Sequence, residues 1–159
     1  MKLHIGYIAP AFSLQDQEGK EHSLKQYAGE WVLVYFYPKD DTPGCTKEAC
    51  SMRDNLPKFK KMKCHVFGIS ADVVKSHDKF VKKFELTFPL LADPEKKMID
   101  AYGVWGKKKF MGREYMGIFR MSFLINPKGK IAKIYELVKP EKHAEEVLMD
   151  IKKIRLASE

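Results

Sequence analysis

The sequence predicts an α/β fold, a central mixed β-sheet flanked by helices with a β-hairpin ahead of it. Three observations predict it. "WVLVYFY" at residues 31–37 and "CHVFGIS" at 64–70 are short runs rich in β-branched and aromatic residues, the pattern of strands covered on both faces in a parallel sheet. Segments with helical spacing of apolar residues alternate with them. Late in the chain, "MSFLINPKGKIAKIYEL" splits into two strands at a turn over Asn126–Gly129, which adds an antiparallel edge.

The elements follow in order. "FSLQDQEGKEHSL" alternates apolar and polar residues around Gly19 and predicts the N-terminal hairpin. Pro38 closes the strand over 31–37, and the polar loop "KDDT" leads to a helix that opens near Pro43. Pro57 is expected to stop that helix at about residue 55, because proline is costly inside a helix. After the 64–70 strand, Val73, Val74, His77, Phe80, Val81 and Phe84 share one helical face. "DPEKKMIDAYGV" predicts a helix capped by Asp93, with Pro94 just inside, running to Gly103. "KPEKHAEEVLMDIKKIRL" closes the chain as an amphipathic helix. No linker, repeat or low-complexity segment interrupts residues 1–159, so one domain is expected.

Composition narrows the function. Of 159 residues, 45% are apolar and 31% charged, the balance of a globular protein, and no apolar run approaches the roughly 18 residues that span a bilayer. The N-terminal stretch "MKLHIGYIAPAFSL" lacks the apolar core and cleavage site of a signal peptide, and a cytoplasmic location is expected. The net charge is +8, but 25 of the 29 basic residues are lysine, scattered in pairs and triplets such as Lys107-Lys108-Lys109. Nucleic-acid binding would favour clustered arginine with aromatic partners, so this charge reads as a solvated surface open to acidic protein partners. Cys45, Cys50 and Cys64 are too few for a disulfide scaffold, and a close pair in a reducing compartment points to chemistry or metal binding.

The chemistry concentrates in "TPGCTKEAC", residues 42–50. Thr42 suits the N-cap and Pro43 the first helical position, which puts Gly44 second and Cys45 third. A helix start presents unpaired N–H groups and a partial positive charge, so it favours the thiolate form of Cys45. Cys50 follows five residues later. In a regular helix that spacing gives ~140° of rotation, ~7.5 Å of rise and a Cα separation of ~8.7 Å. A disulfide needs less than ~7 Å. Either the pair never bonds, or the first turns of the helix unwind when it does. Zinc would have to recruit Cys64 and His65, and the pattern matches no common ligand spacing. A second signal is Arg120, set in the apolar stretch "MGIFRMSFLIN". A guanidinium there either sits on an edge strand facing solvent or is aimed at an anion, for which a thiolate is the obvious candidate.

These residues resemble a known family. "YFYPKDDTPGC" carries Pro38, Thr42 and Cys45 in the spacing P-x-x-x-T-x-x-C, similar to the active-site signature of the peroxiredoxins. "CTKEAC", "GVWG" at 103–106 and "GIFRMSFLIN" at 117–126 resemble the bacterioferritin-comigratory-protein, or Q-type, subfamily, along nearly the whole chain. The resemblance implies a thioredoxin-like fold with an N-terminal extension. It implies a thiol peroxidase with Cys45 as peroxidatic and Cys50 as resolving cysteine, and Thr42, Arg120 and Pro38 completing the site. The implied substrate is a hydroperoxide and the implied reductant a thioredoxin-like dithiol protein, with no cofactor and no metal. A monomer or weak homodimer is expected, since the resolving cysteine lies in the same chain. Glu48 either orients Arg120 or only stabilises the helix start, Cys64 reads as core filler, and Trp105 and Phe110 line the pocket rim or simply pack. Two other classes compete, a general thiol–disulfide oxidoreductase, disfavoured by the missing C-x-x-C, and a basic binding or chaperone-like module with incidental cysteines.

Overall fold

Seven strands form one mixed sheet in the order β2-β1-β5-β4-β3-β8-β9, in a computed structural model that describes residues 2–158. The central trio is parallel: β3 (Trp31–Phe36) lies beside β4 (Cys64–Ser70), and β4 beside β5 (Leu90–Ala92). On the other side of β3, β8 (Met121–Ile125) and β9 (Ile131–Tyr135) run antiparallel. The N-terminal hairpin, β1 (Ser13–Gln15) and β2 (Glu21–Ser23), forms the opposite edge, with Gln15 paired to Ala92.

Every residue of β3 is buried, and the two-residue period of a strand explains how. Trp31, Leu33 and Tyr35 face a core shared with Met52 and Phe59 of α1 (Pro43–Lys61) and Ile151 of α4 (His143–Ser158). Val32, Val34 and Phe36 face a second core with Phe123, Ile99 and Tyr102. The helix α2 (Val74–Phe84) packs beside β5, contributing Phe80 to the first core, and the short α3 (Lys97–Ala101) contributes Met98 and Ile99 to the second.

The structure departs from the sequence expectation at four places. The helix that Pro57 was expected to end continues through it to Lys61. An interior proline costs about 3 kcal/mol, but Leu56 and Phe59 on either side are buried against the core, and each such side chain recovers about 1.5–3 kcal/mol. The helix expected from Asp93 to Gly103 shrinks to Lys97–Ala101. The Asp93 carboxylate accepts the N–H groups of Lys97 (2.9 Å) and Ile99 (2.8 Å), while Lys96 takes a left-handed conformation (φ 59°) that separates the Asp93 turn from the helix. The strand β5 is new; three residues behind Pro89 are too short to show a period. Also new is a separate hairpin, β6 (Trp105–Phe110) and β7 (Arg113–Ile118). Its turn is Met111-Gly112, both at positive φ (51° and 79°), the geometry of a tight two-residue hairpin. Methionine in place of the usual Asn or Asp, and the lysine-rich strand before it, hide that signal. Among the described residues no helix is long and apolar enough to cross a membrane.

Candidate active site

The site is built where β3 ends and α1 begins. Thr42 occupies the N-cap with extended backbone (φ −108°, ψ 155°), and Pro43 opens the helix. The Thr42 side chain does not cap; its hydroxyl donates to the Lys39 carbonyl at 2.9 Å and closes the loop on itself. Cys45 is thus the third helical residue, pointing into the core with only 1% of its surface exposed.

Arg120 reaches this sulfur from the link between β7 and β8. Its Nη2 donates to Cys45 Sγ at 3.2 Å and its Nη1 to Glu48 Oε1 at 2.8 Å. A charge-assisted fork of this kind fixes the guanidinium in two directions at once. Gly44 makes room for it: a Cβ there would lie 3.1 Å from Arg120 Nη2. Glu48, one turn beyond Cys45, is completely buried, and its second oxygen has no partner. Burial pushes its carboxyl up to about 7 even though Arg120 pulls the other way, because Glu48 is wholly desolvated. Arg120 keeps about a fifth of its side chain in solvent, and although burial works against its charge, Glu48 and Cys45 outweigh that and raise it. Of the two residues, Glu48 therefore bears the desolvation cost.

Arg120 also forms part of the wall of a cleft of about 960 Å³, lined by Lys108, Phe119, Met121, Leu137 and Val138 among others. A mainly apolar groove with a cation fork at one end suits a small molecule with one reactive polar end. Lys108 reaches across from the β6–β7 hairpin to donate to the Ile118 carbonyl (2.9 Å); burial and then the Arg120 charge lower its pKa, while Cys45 acts in the opposite sense. Tyr35, fully buried on β3, stays a neutral phenol, raised well above its ordinary value by burial first and then by Glu48, Cys45 and Asp40.

The structure thus joins Cys45 and Glu48 through Arg120, with Thr42 three residues before the sulfur. Pro38 is half-buried at the head of the same loop. Cys50 is half-buried farther along the unbroken α1, and all three cysteines are free. Trp105 packs on the second core with Lys96 over its ring (4.6 Å), whereas Phe110 stands 67% exposed on the hairpin. Lys108 and Tyr35 were not singled out from sequence. One lies within a lysine triplet and the other within an apolar strand, and neither pattern marks one residue above its neighbours. Asp40, Asp72 and His77 are the one group among the described residues spaced to hold a metal ion, but their facing atoms are engaged in hydrogen bonds to neighbouring residues.

A thiol at a helix start, held by arginine and set on a mixed sheet, is a site suited to cysteine chemistry. The chain belongs to the AhpC/TSA family, which it matches over residues 5–134. Within that family it is a peroxiredoxin, a thiol peroxidase, of the bacterioferritin-comigratory type. It is 47% identical over 146 residues to peroxiredoxin Bcp of Escherichia coli, covering 92% of this chain and 94% of that protein. It is 42% identical over 152 residues to peroxiredoxin Bcp of Bacillus subtilis, covering 96% and 97%. The crystal structure of a cysteine-to-serine mutant of PrxQ from Xylella fastidiosa superposes with a TM-score of 0.91 at 34% identity, covering 98% of this chain and 99% of the other. The bacterioferritin comigratory protein of Xanthomonas campestris, studied for alkyl peroxide reduction, superposes at 0.84 with 37% identity over 89% and 90%. The expected thioredoxin-like architecture is therefore the fold of the chain, and the N-terminal extension is the hairpin that edges its sheet.

Proposed function

We propose that Cys45 reduces hydrogen peroxide and organic hydroperoxides and that Cys50 resolves the product within the same chain. The observation that carries this is the 3.2 Å contact between Arg120 Nη2 and Cys45 Sγ at the third position of α1. The guanidinium and the N–H groups of the helix start favour a thiolate. The thiolate attacks one peroxide oxygen. The O–O bond breaks, sulfur loses two electrons, and the second oxygen leaves as alkoxide or hydroxide, which takes a proton to become alcohol or water. Negative charge grows on that leaving oxygen, where preorganised donors have most effect, and Arg120 is the donor at hand. The Thr42 hydroxyl proton is committed to the Lys39 carbonyl, so its oxygen offers lone pairs to the O–H of a hydroperoxide. Pro38 shields the loop side of the pocket from water. The apolar cleft beside Arg120 suits an organic tail, in keeping with the alkyl peroxide reduction studied in the Xanthomonas relative.

The Cys45 sulfenic acid then condenses with the Cys50 thiol, releasing water and forming a disulfide. With α1 intact the two Cα atoms are ~8.7 Å apart, beyond the ~7 Å reach of a disulfide, so the first turns of α1 unwind in each cycle. A thioredoxin-like dithiol protein returns the disulfide to two thiols by exchange. No cofactor or metal is needed. The setting is a reducing cytoplasm, and the working unit is a monomer or weak homodimer.

Peroxide consumption coupled to thioredoxin and its reductase tests this. Wild type should turn over, Cys45→Ser should not, and Cys50→Ser should form sulfenic acid at Cys45 without sustained turnover. Mass spectrometry after one equivalent of hydrogen peroxide should find a Cys45–Cys50 link. A Cys45–Cys64 link would reassign the resolving thiol, and full activity in Cys45→Ser would overturn the reading.

A further inference from the structure

The loop that delivers Thr42 and Pro43 to the site is itself anchored by a buried polar network outside the cysteine chemistry. Asp40 is its hub. Tyr37 Oη donates to Asp40 Oδ1 at 2.6 Å, Ser76 Oγ donates to Oδ2 at 2.8 Å, and His77 Nδ1 lies 2.7 Å from that same oxygen. The second ring nitrogen of His77, Nε2, lies 2.9 Å from the Leu91 carbonyl of β5. A carbonyl only accepts, so Nε2 carries a proton, and a further proton closes the bond between Nδ1 and the Asp40 carboxyl. The Asp40 N–H donates to Asp72 Oδ2 at 2.9 Å, and that oxygen also accepts Ser70 Oγ at 2.7 Å. Outside, Lys83 braces Asp41 at 2.8 Å. The His77 side chain is completely buried and that of Asp40 is 5% exposed.

Apolar residues of similar volume often serve a core as well as such a buried pair or better, so the network is weaker evidence for stability than for a fixed geometry. The geometry fixed here is that of residues 40–42. Asp41 is held at φ 55°, a left-handed conformation that costs an L-residue roughly 1–2 kcal/mol. Thr42, the next residue, is the N-cap whose carbonyl accepts the Thr46 N–H at 2.8 Å, the first bond of α1. A loop released at Asp40 lets go of the N-cap, and the turn carrying Cys45 loosens with it.

We propose that Asp40 and His77 are positioning residues for the peroxide reaction. Their bond holds α1 closed while Cys45 and Arg120 are in register, and it opposes the unwinding that disulfide formation needs. This rests on the roles of Cys45 and Cys50 given above. The pair then acts in opposite directions on the two steps. Weakening it slows attack on peroxide and speeds closure of the disulfide.

Stopped-flow measurement of both steps with hydrogen peroxide tests the proposal, with attack followed in a Cys50→Ser background and closure in the otherwise unaltered chain. Asp40→Asn should slow attack by about tenfold, less than the ~100-fold that a 1 Å misplacement of a reacting group can cost. It should speed closure by about fivefold, the equivalent of one buried hydrogen bond. Ser76→Ala, which removes a single hydroxyl from the same carboxyl oxygen, should shift both rates the same way by less, and it serves if Asp40→Asn does not fold. Unchanged rates in Ser76→Ala and in any folded Asp40→Asn, or rates that fall together, would overturn the proposal and leave Asp40 and His77 as core residues. Failure of wild type to form sulfenic acid at Cys45 would remove both this proposal and the peroxidase roles beneath it, an outcome distinct from a competent wild type with indifferent variants.

Discussion

Cys45 and Cys64 are almost equally hidden, 1% and 3% exposed, yet their surroundings set them apart. Cys64 opens β4 beside Trp31, and its thiol donates to the His65 carbonyl at 3.7 Å. Burial pushes the Cys64 thiol up to about 12, against weak opposing pulls from the Leu33 backbone and from Arg155. Cys45 is enclosed by the same core but sits at the positive end of α1 with a guanidinium 3.2 Å away. Burial alone makes a cysteine inert. What sets Cys45 apart is a charge brought from 75 residues away in sequence.

The largest effect that would break this contrast is chemical. Cys45→Ser should lower peroxide consumption by several orders of magnitude, as loss of a nucleophile does, while Cys64→Ala leaves it unchanged. Equal losses in the two variants, measured in the coupled assay, would mean that surroundings do not separate the two thiols.

Next comes the charge itself. Arg120→Ala should slow the first step by about 100- to 1,000-fold, the cost of removing one preorganised donor from a developing anion. It also takes away the cation that lowers the Glu48 pKa, so the buried carboxyl is raised further and keeps its proton at neutral pH. Losing the charge-assisted bond costs about 1.5–3 kcal/mol, so thermal unfolding should move down. Arg120→Lys restores charge without the fork and should recover only part of the rate. Single-turnover kinetics and calorimetry read the two consequences separately.

Much of this contrast was legible in the chain. Thr42, Pro43 and Cys45 announce a helix start with a thiol at its third position, because caps and N-terminal prolines act locally. The isolated Arg120 leaves two readings, an edge-strand residue facing solvent or a cation aimed at an anion, and its contacts with Cys45 and Glu48 decide for the second. What was not legible depends on tertiary packing. Glu48 could equally have been a surface carboxylate at a helix start; only the fold seals it under Arg120. Pro57 reads as a stop until the burial of Leu56 and Phe59 offsets its cost. The histidine at position 77 counts as one more apolar-face residue, and its engagement by Asp40 across 37 residues is set by how α2 meets the β3–α1 loop.

Glu48 gives a pH test of the same charged cluster. Its carboxyl titrates at about 7 in the folded chain, against an ordinary 4.5. A raised folded value means that the folded state keeps a proton the unfolded chain has already lost. Its stabilising share is complete below pH 4.5 and is lost as pH rises through 7. At about 1.4 kcal/mol per pH unit, the window amounts to about 3 kcal/mol. Glu48→Gln has no such proton, so relative to wild type it should gain roughly that much between pH 4 and pH 8 in denaturant titrations. A constant difference between the two proteins across the range would show that Glu48 titrates in the folded chain where it does in the unfolded one, with Arg120 fully offsetting its burial.

The smallest effect belongs to Cys64, and it sharpens the comparison from the inert side. Its sulfur lies in the core that holds Trp31, Leu33 and Val66, with Arg155 as the charge that acts on it. Cys64→Ala therefore removes one buried atom and should cost about 1 kcal/mol of stability, a transfer and small-cavity loss. Because its thiol is pushed up to about 12, native Cys64 should stay unlabelled by iodoacetamide at pH 8 while unfolded protein is labelled there at once. Labelling that tracks global unfolding in denaturant would place Cys64 in the most protected part of the sheet. Rapid labelling of the native protein would mean that β4 opens locally, and that burial of the second cysteine is not what separates it from the first.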